Sequence, residues 1–118
     1  PLHWPEVFKL ANYRIELAFF CLDSIEKAKN RVQIRVENGG HFVPELEIEK
    51  RYNLGFHNLN QHWKFFDVIH LFETSTYNKE PKHLLTIEQN DLIVLESFPK
   101  YLSKLIPNIA ETIDSLSI

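Results

Sequence analysis

The sequence predicts an α/β fold: part of a sheet with parallel strands joined through two helices, and a C-terminal β-hairpin plus helices. Three observations predict it. Two apolar runs, Arg14–Leu22 (RIELAFFCL) and Asp67–Thr74 (DVIHLFET), read as strands. Two helical stretches separate them, and a crossover that long joins parallel strands. Finally, HLLTIEQNDLIVLES divides at Gln89-Asn90-Asp91 into two short strands, the pattern of a hairpin.

Residues 5–12 read as a short helix with Val7, Phe8 and Leu10 available for packing. Arg14–Leu22 is almost continuously apolar after its first residues, as in a strand buried on both faces. Asp23 with Glu26 three residues on resembles a capping box. Ile25, Ala28, Val32 and Val36 then recur on one helical stripe, and Gly39 suits the left-handed residue just past the helix end.

The second helix starts at Pro44, placed at its first helical position, with Glu45 and Glu47 at the positive end of the helix dipole. Ile48, Tyr52, Phe56, Leu59, Trp63 and Phe66 form its buried line. Gly55 costs such a helix about 1 kcal/mol relative to alanine, and either close packing or a bend would explain it. The tail FPKYLSKLIPNIAETIDSLSI is helical, broken or kinked at Pro107.

A length of 118 residues suits one domain or part of a larger one, and 44% hydrophobic residues suffice for a core. The net charge of −3 supplies no global basic field to recruit nucleic acid, so any anion site must be local. The single cysteine, Cys21, permits no intramolecular disulfide and reads as a buried thiol in a reducing compartment. The longest apolar run, LAFFCL, is too short to span a bilayer, and no signal peptide is recognisable. A cytoplasmic protein with neither membrane nor nucleic-acid partners is expected. A first residue of proline in place of methionine is expected of a processed or truncated chain.

Arg31 and Arg35 lie four apart and project on one side of the first helix, with Lys27 one turn earlier and Lys29 close by. For Arg31 a solvated surface stripe is the simpler reading. Arg35, beside the glycine break, is the better functional candidate. Arg51 and Asn58, seven apart, share a face of the second helix that flanks Tyr52 and Leu59. The plain alternative is a Glu47–Arg51 surface pair with a solvated Asn58. His41 suits a backbone hydrogen bond at the helix junction better than a phosphate contact.

His57 and His62 are five apart, the wrong spacing for a shared metal on a regular helix, so no metal site is indicated. No Ser-His-Asp arrangement can be picked out. FETSTYNKE follows a parallel strand, where α/β folds bind ligands. No glycine precedes a lysine, so the Gly-x-x-x-x-Gly-Lys-[Ser/Thr] phosphate loop is missing, as is Gly-x-Gly-x-x-Gly. Asp23 ends an apolar strand in a Walker-B-like way, which its capping role explains as well.

The ordered set Leu22 and Ser24, Arg31-Val32, Arg35-Val36, Gly39-Gly40-His41-x-x-Pro44, Arg51-Tyr52 and Asn58-Leu59 resembles the second half of the zeta toxin-like P-loop kinases. Glu73 and Thr74 stand where that family has Asp and Asn. The resemblance covers roughly residues 10–100. It implies that Arg35 and Arg51 act as lid arginines on the γ-phosphate of ATP, and that Asn58 and Thr74 contribute to nucleotide binding. It places the Walker A lysine, the magnesium ligand and the catalytic aspartate upstream of this chain.

The resemblance further implies ATP and Mg2+ for the full-length protein, with none bound by this part alone. It implies a small-molecule phosphate acceptor, and it allows an antitoxin protein as a partner. A non-catalytic α/β interaction module with solvated basic helix faces is the alternative.

Overall fold

The computed structural model describes residues 11–116. The expected helix at 5–12 lies outside this range except for residues 11 and 12, which form a turn with Asn12 at φ 65°. From there the elements run β1 (Glu16–Cys21), α1 (Ile25–Glu37), α2 (Glu45–His62), a 3-10 turn (Trp63–Phe65), β2 (Val68–Glu73), β3 (Lys82–Glu88), β4 (Asp91–Leu95), α3 (Lys100–Leu105) and α4 (Pro107–Leu116). Among the described residues, no helix is long and apolar enough to cross a membrane.

The fold is mixed α/β, with four strands in chain order across one sheet. β1 and β2 are parallel and in direct register, from Glu16 opposite Val68 to Cys21 opposite Glu73. The two-helix crossover makes this pairing possible. β3 and β4 add antiparallel strands. Gln89 and Asn90 turn the hairpin with φ of 52° and 65°. Two successive positive φ values match the right-handed twist of the flanking strands, which is why such turns favour Asn.

β1 is an edge strand rather than one buried on both faces. Its side chains alternate, with Glu16, Ala18 and Phe20 exposed and Leu17 and Phe19 half-buried. On the inner face Leu17, Phe19, Cys21, Ile69, Leu71, Leu85 and Ile87 join a core completed by Phe56, Leu59, Leu102, Ile109 and Ile113 from the helices. Phe19 meets Phe56 with ring centroids 5.3 Å apart. The outer face carries Phe20 stacked on Phe72 at 5.2 Å, and is open enough to leave Phe20 54% exposed. Apolar continuity in β1 therefore overstates its burial.

Both ends of α1 are set by local chemistry. Ser24, not Asp23, is the N-cap, and its hydroxyl accepts from the Lys27 amide at 3.2 Å. Asp23 instead pairs with the Lys27 ammonium at 3.0 Å. At the other end the Gly40 amide donates to the Arg35 carbonyl at 2.7 Å and the Gly39 amide to the Val36 carbonyl at 3.0 Å. This is a Schellman cap, and it requires a left-handed residue that Gly39 supplies at φ 90°. Gly40 is needed for space: a Cβ there would lie 2.8 Å from the Arg35 carbonyl oxygen. Pro44 precedes α2 as its N-cap, one position earlier than expected, because its extended ψ of 144° lies outside the helix.

The expected buried line of α2 forms, with Ile48, Phe56, Leu59, Trp63 and Phe66 buried and Tyr52 half-buried. Gly55 is not required for close packing. A Cβ there would meet only the Phe19 ring, at an ordinary 3.9 Å. Gly55→Ala is therefore expected to raise stability by about 0.5–1 kcal/mol in urea unfolding, through helix propensity. Gly40→Ala, measured alongside, is expected to cost about 1–3 kcal/mol, because backbone must move to admit the methyl group.

Candidate functional site at the strand ends

The carboxyl ends of β1 and β2 gather a set of polar side chains that reach between elements. Thr74, just past β2, bonds the Cys21 carbonyl twice, through its amide at 2.8 Å and its hydroxyl at 2.9 Å. Arg31 reaches down from α1 and donates to the Thr74 hydroxyl at 3.3 Å and to the Thr74 carbonyl. One guanidinium thus fastens the crossover helix to Thr74, which in turn ties the end of β2 to the end of β1. Tyr77 stands nearby, its ring centroid 6.0 Å from the Arg31 guanidinium carbon. A cavity of about 260 Å³ opens here, with Lys27, Arg31, Ser75 and Tyr77 among its walls.

Beside it, Glu73 organises a second set of bonds. It accepts from the Ser75 amide at 2.9 Å, from the Ser75 hydroxyl, and from the Tyr101 hydroxyl of α3 at 2.5 Å. Ser75 also accepts from the Asp23 amide at 3.1 Å. Tyr52 of α2 donates to the Leu22 carbonyl at 2.7 Å. Every helix-to-strand junction at this end is therefore hydrogen-bonded.

The electrostatics follow from burial. Cys21 is fully buried, and its thiol is pushed up to about 12, first by burial and then by the charge of Glu73. Tyr101 is raised by burial and by its bond to Glu73, and Tyr52 by burial and by the nearby Asp23. All three stay neutral at neutral pH and act as bond donors or packing groups. Cys21 is no nucleophile, since only the thiolate is reactive.

The sequence-derived candidates are distributed unevenly. Thr74 lies at the centre of the site, with a hydroxyl already engaged by Cys21 and Arg31. Arg35 is exposed on the last turn of α1, and among the described residues its guanidinium makes no hydrogen bond or ion pair. Arg51 is not free of a carboxylate, and its contact is the plain alternative that the spacing offered. It pairs with Glu47 at 3.1 Å on the exposed face of α2, because the i, i+4 spacing brings the two together. Asn58 is half-buried on α2 and His41 exposed in the connection, and neither side chain has a hydrogen-bond partner among the described residues.

Arg31 is the residue that sequence reasoning undervalued. Its i, i+4 relation to Lys27 suggested an outward stripe, yet Lys27 turns to Asp23 and leaves Arg31 to the strand ends. Glu73 and Tyr101 were missed as partners because 28 positions separate them. Among the described residues no three His, Cys, Asp or Glu side chains are placed to hold a metal.

No protein-family model matches this chain, and neither does any curated protein or solved structure.

Proposed function

We propose that this chain is the lid-bearing C-terminal part of an ATP-dependent small-molecule kinase of the zeta toxin-like type. In this reading ATP and Mg2+ are bound by the full-length protein in the cytoplasm, and the phosphate loop lies on the N-terminal side of this chain. The observation that carries the proposal is Arg35. Of the three arginines on α1 and α2 it alone has a guanidinium without a partner among the described residues, and it sits in the turn before the Gly39-Gly40 cap. A phosphoryl-transfer site needs such a cation, since its catalysis rests on positioning and on neutralising charge. Closure over nucleotide would occur in the short irregular connection before Pro44, and Arg51 would exchange Glu47 for phosphate as it closed.

The ion pairs Lys27–Asp23, Lys29–Glu49 and Arg51–Glu47 favour the second reading, a non-catalytic interaction module with solvated basic faces. One experiment separates the two. The polypeptide encoded on the N-terminal side is joined to this chain, and phosphoryl transfer from labelled ATP is measured. The kinase reading expects a Gly-x-x-x-x-Gly-Lys-[Ser/Thr] stretch there, turnover by the joined protein, none by this chain alone, and a loss of about 100-fold or more in Arg35→Ala. Lack of that stretch, or full turnover in Arg35→Ala, would reject it.

A further inference from the structure

On the side of the strand ends away from Arg31, a cavity of about 590 Å³ opens between the start of α1, the middle of α2, and α3. That volume suits a small organic molecule. Its walls are mostly apolar, formed by Ile25, Leu105 and the rings of Tyr52 and Tyr101. Both tyrosines are held by their hydroxyls, Tyr52 to the Leu22 carbonyl and Tyr101 to Glu73, so their rings are fixed in place before anything binds. A preformed apolar wall avoids the ordering cost that a mobile one would add to binding.

The charge around the opening is one-sided in what it leaves free. Lys100 and Lys104 line it one turn apart on α3, both exposed, and neither has a carboxylate partner among the described residues. The two acids in the wall are engaged elsewhere, Asp23 with Lys27 at 3.0 Å and Glu26 with Lys29 at 3.7 Å. Two ammonium groups at i, i+4 repel each other, and an anion between them removes that cost.

We propose that this cavity binds a small amphipathic anion: a flat apolar body between the tyrosine rings, with a phosphate or carboxylate at Lys100 and Lys104. The assignment does not depend on the kinase reading, because it uses none of Arg31, Arg35, Arg51 or Thr74.

The test is an NMR titration of the full chain with 2-naphthyl phosphate, 2-naphthoate, the neutral 2-naphthalenemethanol and inorganic phosphate. One of the two anionic naphthyl compounds is expected to bind about tenfold or more tighter than the alcohol, with shifts centred on Tyr52, Tyr101 and Leu105. Which of the two binds tighter assigns the anion as phosphate or carboxylate. Inorganic phosphate alone is expected to bind far more weakly, lacking the apolar body. The double variant Lys100→Gln/Lys104→Gln, whose changes are on exposed side chains, should bring the anions down to the affinity of the alcohol and leave the alcohol unchanged. Equal binding of anion and alcohol, anion binding unaffected by the double variant, or shifts centred on another surface would overturn the proposal.

Discussion

Alkali is expected to weaken this fold steeply above about pH 9, because the native state holds protons that the unfolded chain releases. Cys21 keeps its proton to about 12 when folded, against an ordinary 9.0. Below 9 both states are protonated and the thiol has no effect on the pH dependence. Between the two values the unfolded thiol ionises while the native one cannot, so folding loses about 1.4 kcal/mol per pH unit, up to about 4 kcal/mol in all. Tyr52 and Tyr101 are shifted the same way and extend the loss above pH 10. Urea unfolding at a series of alkaline pH values checks this. Cys21→Ala should flatten the first part of the decline and leave the tyrosine part. A stability that is level to pH 11 in the parent would show that the thiol is not held in a dry site.

Arg31→Ala is expected to cost about 2–3 kcal/mol of stability, the largest loss among the arginines of the two crossover helices. Its charged bonds to the half-buried Thr74 hydroxyl and carbonyl join α1 to the end of β2, which Thr74 ties to β1, and truncation leaves those acceptors without it. Arg31→Lys should recover only part, since an ammonium cannot span both oxygens as a planar guanidinium does. Arg35→Ala and Arg51→Ala should stay within about 0.5 kcal/mol of the parent, one being unpaired and the other in an exposed pair. Chemical denaturation of the four variants at neutral pH measures the order. If Arg31→Ala unfolds at the parent's midpoint, the strand-end bonds do not hold the helix.

This order reverses what spacing suggests. In the sequence Arg31 reads as one member of a solvated stripe and Arg35 as the special one. A helical wheel gives the direction in which a side chain leaves the helix, but not what the chain returns to after forty residues. Thr74 is 43 positions away, and only the parallel pairing of β1 and β2 brings it beneath α1.

Much of the architecture was legible because its causes are local. Apolar runs marked β1 and β2, the crossover length between them implied parallel pairing, Asn90 and its neighbour marked the hairpin, and Pro107 marked the break between α3 and α4. Gly39 was legible as a helix stop because few other residues tolerate its left-handed φ. These features follow from hydrophobic period and backbone sterics over a few residues, which a sequence displays directly. Burial of β1, the need for Gly40, the partner of Arg31, and the bond from Tyr101 to Glu73 were decided by tertiary structure. Each depends on which surfaces distant segments cover, and on which acceptor lies within hydrogen-bond range once they do. The chain by itself determined where its strands and helices lie; packing at the strand ends decided which of its polar residues are bound to one another and which, like Arg35, Lys100 and Lys104, are left facing solvent.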